Sequence, residues 1–188
     1  MENKEIIIIG GSAGSVNVLL NMLPLVTTET CLPIILLIHR KTSEENALAG
    51  LLQLKTNIKI IEVEDKMPIA SNRIYLAPAN YHLLIETDKV FTLDYSEKIN
   101  YSRPNIDVCM ESLVEVYGGK IIGILLTGSN NDGAMGMKMI HDAGGYTIIQ
   151  SPDSCLFPTM PLDAEKLSAP DKKLTPEQIA EFITNLKN

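Results

Sequence analysis

The sequence predicts an α/β fold: a doubly wound, mostly parallel sheet with helices on both faces and one inserted antiparallel hairpin. Three observations carry that expectation. Short runs such as Ile6–Ile9, Ile34–Ile38 and Ile121–Leu126 are apolar throughout rather than alternating with polar residues. Strands read this way when helices cover both faces of a parallel sheet. Longer amphipathic stretches separate the runs, and strand–helix alternation favours a layered α/β architecture. One pair of runs instead flanks only Thr87-Asp88-Lys89, which leaves room for a hairpin turn and nothing more.

Taken in order, Ile6–Ile9 is a buried strand closed by Gly10-Gly11, and Val16–Leu23 is a helix stopped by Pro24. Ile34–Ile38 is a second buried strand. A helix over Glu44–Leu54 opens on Ser43, a residue suited to accept from first-turn amides. Ile58–Val63 and Ile74–Ala77 are further strands, the latter ended by Pro78. Leu83–Glu86 and Val90–Leu93 form the hairpin. Asn105–Tyr117 is a helix with Pro104 at its entry and Gly118-Gly119 at its exit. Ile121–Leu126 is the most apolar strand of the second half. Asn131–Asp142 is a helix ended by Gly144-Gly145, and Tyr146–Ile149 is the last strand. Gln150–Pro170, with four prolines, reads as a long loop of the kind that borders sites. Thr175–Leu186 is a C-terminal helix. No repeat or linker divides the chain, so residues 1–188 are expected to form a single domain.

Bulk properties narrow the function. A chain of 188 residues buries roughly 70% of its unfolded surface, enough for a core without staples. The net charge of −7 repels a phosphate backbone, so nucleic-acid binding is not expected. The small basic groups Lys172-Lys173 and His39-Arg40-Lys41, and the acidic Glu62, Glu64 and Asp65, read as solvated surface. Cys31, Cys109 and Cys155 form no CxxC pattern and are odd in number, which suits thiols in a reducing cytoplasm. The run Ile6–Ile9 is too short to span a membrane, and no cleavable leader is recognisable.

Ligands of such sheets bind where loops leave the carboxyl ends of strands. Three reactive groups sit there. Gly10-Gly11-Ser12-Ala13-Gly14 follows the first strand, and its glycines allow a tight turn that exposes the Ser12 hydroxyl. The amides that follow, near Ala13 and Gly14, or those near Ser129, are candidate donors to an oxyanion. His39 follows the second strand and is suited to take a proton from a serine. Asp132 lies in Thr127-Gly128-Ser129-Asn130-Asn131-Asp132-Gly133-Ala134, after Ile121–Leu126, where it can orient an imidazole. Each has a plainer reading alone: a serine cap, a boundary histidine, a first-turn aspartate. Together they converge on one sheet edge as a Ser-His-Asp triad. The α/β-hydrolase arrangement fails, because its elbow follows later strands and its histidine comes last, which would require His141. A dinucleotide turn fails too, since the glycines read G-G-x-x-G and His39 stands where ribose wants an acid. No G-K-[ST] and no HxxxH or HExxH pair is present, so neither a P-loop nor a metal site is expected.

Several strings in order resemble the chemotaxis methylesterase family, CheB. Ile9-Gly10-Gly11-Ser12-Ala13-Gly14 is similar to that family's I-G-A-S-T-G-G. Leu37-Ile38-His39, Tyr75-Leu76-Ala77-Pro78 with Tyr81-His82-Leu83, and Arg103-Pro104-Asn105-Ile106-Asp107 resemble its histidine, A-P-x-x-x-H-L and R-P-S-V-D segments. Leu126-Thr127-Gly128 with Asn131–Gly136 is similar to L-T-G-M-G-x-D-G-A-x-G, and Ala143-Gly144-Gly145, Gln150 and Met160-Pro161 continue the likeness. It runs from Ile6 to about Ala164. Departures near the site are Ala13, Ser15, Ser129-Asn130, Lys41, and Phe157–Pro161, where a glycine usually precedes Met-Pro.

The resemblance implies a doubly wound sheet and hydrolysis of glutamate methyl esters on chemoreceptors, with glutamine deamidation in some members. It places the nucleophile on Ser12, the base on His39 and the acid on Asp132, and suggests that Arg103 and Met160 line the cleft. No cofactor is implied. The partners implied are the cytoplasmic region of a methylated chemoreceptor and a histidine kinase or separate regulator acting in trans. The catalytic turn begins at residue 10, which leaves no room for the receiver domain that many members carry, so a stand-alone form is expected. Two other functions remain open at this point. One is a non-catalytic or weakly active binding module of the same fold; the other is a hydrolase of a different small ester.

Overall fold

The computed structural model describes residues 3–27, 32–40 and 45–186. Its elements in chain order are β1 (Ile6–Gly11), α1 (Ser15–Met22), β2 (Ile34–Ile38), α2 (Glu45–Gln53), β3 (Lys59–Glu62), β4 (Arg73–Leu76), β5 (His82–Ile85) and β6 (Phe91–Asp94). Then follow α3 (Ile106–Tyr117), β7 (Ile121–Leu125), α4 (Ala134–Asp142), β8 (Tyr146–Gln150), α5 (Thr159–Leu167), β9 (Lys172–Leu174) and α6 (Pro176–Thr184). Seven strands form one sheet in the order β3-β4-β2-β1-β7-β8-β9, and every pairing in it is parallel. The antiparallel hairpin β5-β6 stands apart from it.

Side chains alternate across a strand, and β1 shows the consequence. Ile6 and Ile8 join the core beneath the hairpin, α3, α4 and α5. Ile7 and Ile9 join the opposite core beneath α1, α2 and α6. Both faces are therefore covered, and that is why the run is apolar without a break. From β1 the chain winds outward through β2 towards β3, then returns beside β1 at β7 and winds the other way. The switch point lies between β1 and β7, where loops leave in opposite directions and open a crevice.

Several expectations shift. α4 starts at Ala134 rather than Asn131, because the residues before it form the loop that carries Asp132. Gln150–Pro170 is not one long loop: it holds a single 3-10 turn at Pro152–Ser154 and then α5. Pro161 sits in the first turn of α5, where a missing N–H breaks no helical bond, so a proline there is compatible with a helix. The strand expected over Tyr146–Ile149 runs over Tyr146–Gln150 and is not the last. β9 has only three residues, two of them lysines, so no apolar run announces it. The short charged edge it makes discourages pairing with another sheet.

Arg40 is a further correction. Its side chain is almost wholly buried, ion-paired with Glu62 and bonded to the carbonyl of Ala77, so neither residue of that pair is simple solvated surface. Cys109 is buried and Cys155 half-buried, both as free thiols. The expectations placed on Cys31, Lys41 and Ser43 lie outside the described residues. Among the described residues, no helix is long and apolar enough to cross a membrane.

Candidate active site

Parallel register brings three loops together at the carboxyl edge. Gly11 pairs with Ile38 and Gly10 with Leu125, so the residues just past β1, β2 and β7 start level. Backbone bonds continue the alignment beyond the strands: His39 N–H donates to Gly11 O at 3.1 Å, and Ser12 N–H donates to Thr127 O at 3.0 Å. Two of the turns enter their helix through a left-handed glycine, Gly14 at φ 85° and Gly133 at φ 89°. A side chain at either position would strain the backbone.

The His39 ring bridges the other two groups. Its Nδ1 lies 3.2 Å from Ser12 Oγ, and its Nε2 lies 2.8 Å from Asp132 Oδ2. An ionised carboxylate only accepts, so Nε2 carries the proton and Nδ1 keeps the lone pair that faces the serine. The arrangement is one in which an imidazole, oriented by a carboxylate, could serve as base to a serine hydroxyl.

Asp132 is almost fully buried, its side chain 1% exposed, and a buried charge needs donors. It finds them at the start of α3. Oδ2 accepts from Ile106 N–H at 2.8 Å and Oδ1 from Asp107 N–H at 3.0 Å. These are orphan first-turn amides, and the positive end of the helix dipole favours a carboxylate there. Asp132 is thus a helix-capping aspartate as well as a partner of His39. The helix it caps is α3, far away in sequence, rather than the α4 that follows it.

The candidate oxyanion donors divide. Ser12 N–H is spent on Thr127 O, and Gly128 N–H on Phe157 O at 2.9 Å. The amides of Ala13, Gly14 and Ser129 have no acceptor among the described residues and stay available. Ser15 Oγ donates to Ser12 O at 2.6 Å, which fixes the peptide whose N–H belongs to Ala13.

Arg103 lines a small cleft of about 140 Å³ with His39, Arg40, Lys98, Tyr101 and Ser102. Its guanidinium lies over the Tyr95 ring at 3.9 Å, bonds Asn80 Oδ1 at 2.7 Å, and donates to the Tyr95 carbonyl at 2.9 Å. It therefore builds the cleft wall. Met160 does not line the cleft: it is fully buried and packs under Gly128, where an added Cβ would lie 2.7 Å from its Sδ. Larger hollows of about 390 and 380 Å³ lie elsewhere, and none of their lining residues is Ser12, His39 or Asp132.

Four supporting residues escaped the sequence reading. Thr127 and Gln150 tie the loops together, and Ser15 and Asp107 hold the Ser12 and Asp132 turns. Only their places within or beside the matched strings pointed to them.

Comparison with known proteins agrees with this fold. The family model for CheB methylesterase matches residues 7–183. A relative in Leptospira interrogans is 42% identical over 184 residues, covering 98% of this chain and 95% of its own length. Its name, protein-glutamate methylesterase/protein-glutamine glutaminase, is a provisional one. A protein of Archaeoglobus fulgidus with the same name is 31% identical over 181 residues, 94% of this chain but 52% of that longer protein. The crystal structure of the Thermotoga maritima CheB methylesterase catalytic domain superposes with a TM-score of 0.92 at 29% identity, over 98% of this chain and 99% of that one. A strand-end serine, histidine and aspartate, the doubly wound sheet around them and the match along nearly the whole length agree: the chain belongs to the CheB methylesterase family.

Proposed function

We propose that this protein is a protein-glutamate methylesterase, hydrolysing methyl esters on glutamate side chains of chemoreceptors with Ser12, His39 and Asp132 as its triad. The observation that carries the reading is the His39 ring spanning Ser12 Oγ and Asp132 Oδ2 at hydrogen-bond distance. Ser12 Oγ attacks the ester carbonyl as His39 Nδ1 takes its proton. The oxyanion forms beside amides of the Ala13, Gly14 and Ser129 group. The tetrahedral adduct collapses, methanol leaves with the proton from His39, and an acyl-serine remains. Water, deprotonated by the same nitrogen, then attacks the acyl carbon; Ser12 recovers its proton and the free glutamate departs. Throughout, Asp132 fixes the imidazole tautomer and offsets its positive charge. With a glutamine side chain the same steps release ammonia in place of methanol, so deamidation is part of the proposal. The substrate is taken to be the cytoplasmic region of a methylated receptor.

The test is release of labelled methanol from a methylated receptor fragment near neutral pH, with Ser12→Ala alongside. Ser12→Ala is expected to lose on the order of 10⁶-fold in turnover. No release by the parent protein across several receptors, or equal release by the variant, would overturn the proposal.

A further inference from the structure

Asp107 sits in the first turn of α3, the turn whose amides hold Asp132. It returns the contact. Its Oδ1 accepts from Gly136 N–H, in the first turn of α4, at 2.7 Å. α4 starts two residues after Asp132 and has no side-chain cap of its own, because glycine occupies the capping position. The two helices therefore exchange caps. Asp132, leading into α4, closes the start of α3; Asp107, inside α3, closes the start of α4.

We infer that Asp107 is a positioning residue of the active site, anchoring the start of α4 so that Asp132 meets His39, and placing a second negative charge behind Asp132 that favours the protonated imidazole. The inference rests on the triad reading above. Asp107 is half-buried, and desolvation pushes its carboxyl up to about 6; the Gly136 amide opposes this rise and the charge of Asp132 adds to it. Asp107 is thus neutral well below pH 6 and charged above it. The groups around it are few. From the loop after β7 comes Asp132, with His39 on its far side; from α4 come amides of the first turn; and Cys109, on its own helix, stays a neutral thiol because burial pushes it up. Asp132 is the charge that bears on Asp107.

Asn keeps an oxygen for Gly136 N–H and removes the charge, whereas Ala removes both. The experiment follows the imidazole of His39 by NMR titration in the parent, Asp107→Asn and Asp107→Ala, and measures kcat and KM on a methylated receptor fragment. In Asp107→Asn the midpoint of the ring titration, and the acid limb of the rate profile, are expected to move down by on the order of half a pH unit. Its kcat stays within about 3-fold of the parent. In Asp107→Ala kcat falls between about 10- and 100-fold at little-changed KM, as expected for a displaced orienting group. An unmoved midpoint in Asp107→Asn, or equal losses in both variants that follow their melting temperatures, would overturn the inference. The ring titration needs no turnover, so failure of the esterase reading is seen separately, as absent methanol release with a midpoint that still shifts. If Asp107→Ala does not fold, Asp107→Asn decides alone.

Discussion

At the scale of the residue, small volumes decide how the Ser12 turn closes. A Cβ added at Gly11 would lie 2.6 Å from Ser15 Cβ. The family string I-G-A-S-T-G-G has its methyl at the position of Gly11 and a glycine at that of Ser15, so this chain carries the side chain on the other partner. Gly11→Ala alone is expected to overpack the turn and cost about 1–3 kcal/mol in urea unfolding. Adding Ser15→Gly should recover most of that loss; strictly additive effects would refute the pairing. Asp107 sets a pH effect of definite sign. Its folded carboxyl is raised from 3.8 to about 6, so the native state binds the proton more tightly and stability falls as pH rises through that window. Asp107→Asn removes the penalty. It should melt higher than the parent at pH 8, with a smaller advantage at pH 5.5; a gain independent of pH would count against it.

At the scale of the element, a buried threonine links three loops. Thr127 Oγ1 lies 3.2 Å from Ala13 O and 3.0 Å from Phe157 O, and accepts from Phe157 N–H at 2.9 Å. Its own amide donates to Gln150 Oε1 at 3.0 Å, and Gln150 Nε2 donates to Ser154 O at 2.9 Å. The turn after β1, the loop after β7 and the segment between β8 and α5 are thus tied together. Thr127→Val keeps the shape and leaves Ala13 O and Phe157 N–H without the hydroxyl. It should cost about 0.5–1.5 kcal/mol in denaturant unfolding and lower kcat more than it raises KM. Wild-type stability and kcat in that variant would show that the loops hold without the hydroxyl.

At the scale of the whole molecule, the site depends on a sheet sealed on both faces. α6 buries Ile179, Ala180 and Ile183 against the core that holds Ile7 and Ile9, and Asp171, just before β9, accepts from Thr147 N–H on β8 at 2.7 Å. Removing residues 171–188 bares that face and the edge of β8. Each large aliphatic side chain so exposed is worth about 1.5–3 kcal/mol, enough in sum to remove most of a typical domain's stability. The shortened chain is expected to lose its cooperative urea transition; a transition like the parent's would show that α6 is dispensable.

Much of this was legible in the sequence, for local reasons. Apolar runs between Gly and Pro signals mark β1, β2 and β7 because a strand buried on both faces has no polar side. Ser12, His39 and Asp132 were legible because parallel strands put their ends at one edge. β9 was not, since three residues with two lysines carry no period, and its place comes from the open edge of β8. The burial of Met160, the pairing of Arg40 with Glu62 and the exchange of caps by Asp107 and Asp132 were decided only by tertiary structure. Each joins positions far apart in the chain, and which polar groups lose water together is settled by packing rather than by any local pattern.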